Sequence, residues 1–450
     1  MEKMKTKRRI QTVDTLWYLI PSCLSLVGTI AVVRSPSLTS TVIFIIAVAI
    51  LTLWAAARWN IAMTFVYAFG LLLVMSASMQ ILTTGAEGES SLSAIAVRIV
   101  GVLLFAAVSL MAGRRLVVDS GYEGGQYSRS LMLRAWLISF ALPVTGFIIV
   151  ATFVHGLWAA FFSYGLGAGL LCLSMAATSR VPSAIVTNGI VVALALAVVG
   201  SLAAGLVIPG SAIEQLRLRG LFENANSLGF FAFLLGGAAL LLVRTLRTQF
   251  LLFTAAVTVL VWTASRASAL ALAVLVIVYL LRRKPLRAFV VALVLSAFAF
   301  VFLQSDALDF SSFDALLRNN NSREGSWNIA VQTLSTNPVV GLGFGREPTI
   351  VASSPLRAAV VGGVVGLAII MALYIAMLRI SYRYGARTLA LTVAGLVHAL
   401  FEGWLLSPVS PLIIVFSICW WAMAQRDWET AHIQDEVMPS RAHGPRHVRL

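Results

Sequence analysis

Four arginines stand where charge is scarce. Arg217 and Arg219 precede Gly220-Leu221-Phe222-Glu223-Asn224-Ala225-Asn226, Arg266 ends Thr263-Ala264-Ser265-Arg266 between two apolar runs, and Arg323 opens the segment that leads to Trp327. A guanidinium is permanently charged and presents its N–H groups as a fork that fits phosphate oxygens. Several converging at one membrane surface would make a site for a pyrophosphate anchored in lipid. The competing reading is that each snorkels to headgroups or pairs with a loop acid. His398 and Glu402 add a second possibility, because a spacing of four places both on one helix face near the end of an apolar run. Ionisable groups there mark functional sites in membrane proteins. Trp327 and Phe344 are the loop aromatics able to stack on a sugar or to pack the loop itself.

The elements that must position these residues are membrane helices. The chain has 450 residues, 59% hydrophobic and only 11% charged, far more apolar than a soluble domain. Apolar runs of about 17 to 25 residues recur, each long enough to cross a hydrocarbon layer of about 30 Å. They fall at 16–33, 40–57, 61–82, 93–112, 132–153, 156–177, 184–208, 227–243, 249–263, 268–281, 288–303, 358–378, 388–406 and 411–424. The expected fold is therefore all-α and polytopic, with about 14 transmembrane helices (12–14). The basic start Met1–Ile10 feeds a full-length span, which reads as a first transmembrane helix rather than a cleaved signal.

Charge sets the orientation. With the N-terminus inside, most of the 33 Lys and Arg fall in alternate, cytoplasmic loops and the termini, among them Arg58, Arg114, Arg180, Arg244, Arg282 and Arg383. The exceptions are Arg34, Arg217, Arg219, Arg266, Arg318, Arg323, Arg346 and Arg357 outside, and Arg98 within a span. The net charge of +15 thus follows from topology, and no basic block interleaved with aromatics points to nucleic acid. Cys23, Cys172 and Cys419 sit inside apolar runs without metal-like spacing. Both termini are expected in the cytoplasm, with a disordered tail over 426–450, an N-terminal bundle over 16–208, and a catalytic-type region over 209–425 carrying extracytoplasmic loops 209–227 and 304–357. Residues 249–281 are read as two short helices meeting at Arg266, since a buried Arg within one long helix would cost several kcal/mol. Ser322–Leu334 has helical spacing, with Trp327, Ala330, Val331 and Leu334 on one face; Asn337-Pro338 stops it and Gly341–Gly345 turns the chain. Trp54, Trp59, Trp404, Trp420 and Trp421 lie near span ends as interfacial anchors.

Arg217-Leu218-Arg219-Gly220-Leu221-Phe222-Glu223-Asn224-Ala225-Asn226-Ser227-Leu228 resembles the signature R-x-x-G-x-x-x-N-P-N-x-L of the O-antigen ligase and polymerase family. Thr263–Arg266 resembles that family's T-x-S-R helix junction. Arg323, Trp327 and Asn337-Pro338-Val339-Val340-Gly341-Leu342-Gly343-Phe344-Gly345 resemble the start of its large outer loop. The three motifs stand in order and the resemblance covers about residues 210–425.

The resemblance implies a C-type glycosyltransferase fold that takes an undecaprenyl-pyrophosphate-linked oligosaccharide as donor without metal or cofactor, and no Asp-x-Asp stands in the outer loops. Arg217, Arg266 and Arg323 are expected as pyrophosphate clamps with Arg219 as an accessory, and Asn224, Asn226, Trp327, Gly343, Arg346 and His398 are expected around the substrate. This chain departs from the pattern at Ala225, where the family has proline, and at Ser353–Ala358, where the family's ligases and many relatives carry a His-Asn pair. No histidine occurs between Gly156 and Val397. A base for an acceptor hydroxyl would then come from Glu223, Glu324, Glu347 or Glu402, with Glu324 and Glu402 ranked first. The expected activity is glycan transfer at the outer face of the plasma membrane, to a glycan or lipid-linked glycan acceptor, and repeat-unit polymerisation for O-antigen, capsule or exopolysaccharide before ligation. The rival class is a lipid-linked oligosaccharide flippase or another multi-helix transporter, which would keep polar groups along a midplane pathway.

Overall fold

In a computed structural model of the protein, the structure describes residues 99–111, 132–222, 224–283, 324–344, 346–347, 351, 353–406 and 410–437, with a few positions between 43 and 70. The expected spans at 16–33 and 288–303, and Arg98 and Arg323, lie outside these residues. Eight long helices carry the description that follows: α1 (Met132–Phe153), α2 (Trp158–Thr178), α3 (Ser183–Val207), α4 (Ala225–Leu242), α5 (Leu246–Thr263), α6 (Arg266–Arg283), α7 (Glu324–Thr336) and α8 (Ser354–Tyr384). Two more follow, α9 (Ala386–Phe401) and α10 (Pro411–Val437). Six helices are long and apolar enough to cross a membrane among the described residues, namely α1 to α5 and α8. In hydrocarbon, backbone polar groups must bond within their own segment, which is why uninterrupted runs such as Ser183–Val207 are helical throughout.

α4 lies at the centre, with residues buried on nearly every side. It packs against α3, α5, α6 and α10, and α6 runs closely along α9. Small residues set the approach. A Cβ at Gly229 of α4 would lie 2.5 Å from Ser265 Cβ, so α4 and the first turn of α6 touch at a distance only glycine permits.

Several sequence expectations need correction. The helix expected at 358–378 runs from Ser354 to Tyr384, and it is kinked at Gly363 (φ 61°, ψ −151°). The tail expected to be disordered from 426 instead continues α10 to Val437. Its acids are the reason: Asp427 is buried and meets Arg387 Nη1 at 3.0 Å, while its second oxygen accepts from Thr388 N and Oγ1, each at 2.9 Å. Trp404, Trp420 and Trp421 are buried, not interfacial. Trp420 Nε1 donates to Ser381 Oγ at 2.9 Å, an inward partner that a position near a span end does not reveal. In α7 the buried face is Ala330 and Thr333, with Val331 at 65% exposure on the opposite side.

Candidate functional site

One end of the bundle gathers the start of α4, the junction of α5 and α6, the start of α8 and the end of α9. Each arrives there for a local reason. Asn224 caps α4, its side chain accepting from Ser227 N at 2.8 Å. α5 ends on Ala264 in the left-handed conformation (φ 49°), and Arg266 begins α6, as the two-helix reading of 249–281 expects. Ser353 caps α8, with Pro355 in its first turn. The N-termini of α4, α6 and α8, each with partial positive charge, thus lie at this end of the bundle, and the first residues of α4 and α8 both contact Glu402.

Arg217 enters that region on a tight hairpin. Strands β1 (Ile213–Glu214) and β2 (Arg217–Leu218) pair antiparallel with Glu214 opposite Arg217. The two connecting residues, Gln215 and Leu216, both have positive φ (49° and 66°), the backbone of a two-residue hairpin turn built without glycine. From β2, Arg217 Nε donates to Thr263 O and Nη2 donates to Asn226 Oδ1, both at 2.7 Å. Thr263 is the last residue of α5, so this arginine satisfies a carbonyl that the helix leaves without an internal partner. Arg217 is thereby fixed within three residues of Arg266, whose side chain is exposed at the start of α6.

Asn226 continues the chain of contacts. Its Nδ2 donates to Glu402 Oε1 at 3.1 Å, joining residues 176 positions apart. Glu402 follows the end of α9 in extended conformation (φ −135°, ψ 140°). It is not on a helix face shared with His398: α9 stops at Phe401 and the chain turns. The Glu402 backbone is held on both sides, its N–H bonded to His398 O at 3.0 Å and its carbonyl accepting from Ser354 Oγ at 2.7 Å.

His398 faces inward, 1% exposed. Trp404 Nε1 can only donate, so the 3.0 Å contact makes His398 Nδ1 an acceptor. The proton then sits on Nε2, which donates to Ser268 Oγ at 3.0 Å. Phe230 and Phe233 of α4 pack on the ring. The expected substrate contact is thus placed as a cross-link between α6, α9 and the turn at Gly403–Leu406.

The remaining expected residues divide. Arg219 pairs with Glu214 at 3.6 Å, Asn224 is exposed at its cap, and Arg346 is exposed. Glu324 and Trp327 lie in the backbone of α7. Gly343 (φ 85°) belongs to the turn expected there, whose backbone is pinned to α8. Leu342 N and Gly343 N donate to Val360 O and Val361 O at 2.9 Å each, while Val364 N and Val365 N donate to Pro338 O and Val339 O at 2.8 and 3.2 Å. The α8 kink at Gly363 releases those backbone groups to the loop. A Cβ at Gly341 would lie 2.6 Å from Val360 O, and one at Gly363 2.5 Å from Val339 C. Phe344, a candidate sugar platform, is 2% exposed and stacks on Tyr164 at 4.1 Å.

Sequence reasoning missed the group that holds Phe344. Arg357 in the first turn of α8 bonds Glu347 at 3.3 Å and Tyr164 OH at 3.4 Å, and lies 5.1 Å from the Phe344 ring centroid. Arg357 outside the inside-positive pattern was its only signal. Ser268 was missed as well, since an isolated serine within an apolar helix has no distinguishing pattern.

Residues 250–356 match the family described as O-antigen ligase. The match includes the Thr263–Arg266 junction and the Asn337–Gly345 loop, and it bears out the resemblance expected from those motifs. No curated protein matches the chain.

Proposed function

We propose, for a chain similar to the O-antigen ligase family over residues 250–356, that it is a membrane glycosyltransferase joining an undecaprenyl-pyrophosphate-linked glycan to an acceptor. The observation that carries this reading is the chain of contacts at one end of the bundle, where Arg217 bonds the last carbonyl of α5, three residues before Arg266, and Asn226 in the first turn of α4, and Glu402 links Asn226 to the start of α8. Breaking the anomeric C–O bond puts negative charge on the departing pyrophosphate. Guanidinium groups and helix N-termini fixed beforehand stabilise that charge without reorganising. Charge supplied in this way makes the reaction independent of a divalent ion. Arg217 and Arg266 serve as clamps, Arg323 is assigned the same role from its place in the sequence motif alone, and Arg219 is an accessory.

The acceptor is a second lipid-linked repeat unit and the product a longer polysaccharide, made at the extracytoplasmic face of the plasma membrane. The sidedness of the basic residues supports that face, and Ser353–Ala358, which lacks the His-Asn pair implied for the family's ligases and many relatives, speaks against a ligase. The test supplies purified protein in lipid vesicles with a lipid-linked oligosaccharide. Longer glycan with released undecaprenyl pyrophosphate is expected. Translocation of the substrate without a longer product would overturn the assignment in favour of a carrier.

A further inference from the structure

We infer that Asn226 is a positioning residue that aims the Glu402 carboxylate as the proton acceptor of the transfer step, from beside the arginine that holds the leaving group. This rests on the glycan-transfer reading above and adds to it the identity of the base and of the residue that orients it.

The amide chemistry is specific. Arg217 has only donors and an ionised Glu402 only acceptors. A side-chain amide satisfies both at once, Oδ1 toward Arg217 at 2.7 Å and Nδ2 toward Glu402 at 3.1 Å. Aspartate in its place would keep the bond to Arg217 and oppose Glu402 with a like charge. Asn226 sits in the first turn of α4, anchored by the Asn224 cap, and the Glu402 backbone is held by His398 O and Ser354 Oγ. The amide and the carboxylate it meets are therefore both held on fixed elements, which a base needs if it is to meet the acceptor oxygen in line with the bond being broken.

In the step, the acceptor hydroxyl gives its proton to a Glu402 carboxylate oxygen while the hydroxyl oxygen forms a bond to the anomeric carbon. The anomeric carbon's bond to the diphosphate oxygen breaks, and the electron pair leaves on the diphosphate beside Arg217. Proton transfer of this kind contributes about 10²- to 10⁴-fold to rate.

The experiment measures kcat and donor KM for full-length protein in vesicles, using a purified lipid-linked repeat unit as probe. Variants are Asn226→Ala, Asn226→Asp, Glu402→Gln, Glu402→Asp and the double variant Asn226→Ala/Glu402→Gln. The expected results are a fall in kcat of about 100-fold for Glu402→Gln and at least about 10-fold for Asn226→Ala, with donor KM changed little. Glu402→Asp restores part of the loss. The double variant is no slower than Glu402→Gln alone, because an orienting residue has nothing left to orient. Losses that multiply in the double variant would overturn the inference, as would a Glu402→Gln enzyme with wild-type kcat. If Asn226→Ala fails to fold, the isosteric Asn226→Asp, which opposes Glu402 with a like charge, is expected to lower kcat at least about 10-fold, and Asn226→Asp/Glu402→Gln to be no slower than Glu402→Gln alone. Wild-type protein that makes no longer glycan would instead overturn the transferase reading itself.

Discussion

Arg387 and Asp427 lie 3.0 Å apart at the end of the bundle remote from Arg217. The pair ties the start of α9 to α10, and Arg387 Nε extends it to Leu241 O near the end of α4 at 3.1 Å. Asp427 is 6% exposed, so removing its partner or its charge leaves a buried polar group without compensation. Asp427→Ala is expected to cost about 3 to 5 kcal/mol of stability, read as a lower melting temperature in detergent. The fraction that remains folded keeps its transferase activity, since no residue of the Arg217 cluster is touched.

The Arg217 cluster predicts the opposite pattern. Arg217→Lys leaves one ammonium where a fork served Thr263 O and Asn226 Oδ1 together. Product formation is expected to fall by at least about 10-fold, equivalent to roughly 1.4 kcal/mol of transition-state stabilisation, with folded protein retained. Arg266→Ala is expected to abolish polymer while the protein level stays intact; wild-type chain lengths in that variant would refute the clamp assignment.

His398 is expected to matter for stability more than for chemistry. Replacing it with alanine strands Trp404 Nε1 in the interior, at a cost of about 1 to 3 kcal/mol for the unpaired group, while the Ser268 hydroxyl keeps its bond with Ser265 Oγ at 2.9 Å. Trp404→Phe removes the donor to Nδ1 and should cost less. Melting temperatures of the two variants, compared with their activity per folded molecule, check the assignment.

Metal dependence provides a direct test of where the charge stabilisation comes from. If arginines and helix N-termini carry it, glycan transfer proceeds at an unchanged rate in excess EDTA. A rate that collapses with chelator and returns with Mg²⁺ would show that the guanidinium groups are not sufficient.

Backbone effects can be isolated at the α8 kink. Gly363→Ala places a Cβ 2.5 Å from the Val339 carbonyl carbon and forces positive φ on an L-residue. A loss of about 1 to 3 kcal/mol is expected, together with faster proteolysis of the segment around Pro338, measured in vesicles.

Legibility in the sequence followed the range of the interactions. The α5–α6 junction was readable because a charged residue inside an apolar run admits few placements, and Ser265-Arg266 marked it. α1, α2 and α3 lie close to their expected bounds because a membrane helix needs only length and hydropathy. The Asn226–Glu402 bond was not readable, since nothing in the spacing of two residues 176 apart says that they meet. The inward turn of Trp420 and Trp421 and the departure of Glu402 from α9 were hidden for a related reason. A position near a span end has one meaning for a helix alone and another where neighbouring helices cover it. The Gly362-Gly363 pair looked like part of an ordinary span because its kink is imposed by a loop more than twenty residues upstream.

That kink has a consequence for exchanging parts between related chains. Pro338–Gly343 and Val360–Val365 complete each other's backbone hydrogen bonds, so neither is a whole structural unit alone. A loop graft that ends just before α8 separates the two and leaves amides and carbonyls of both with no counterpart. The smallest transplantable piece runs from Asn337 through Val365, carrying the first part of a membrane helix together with the loop that completes it.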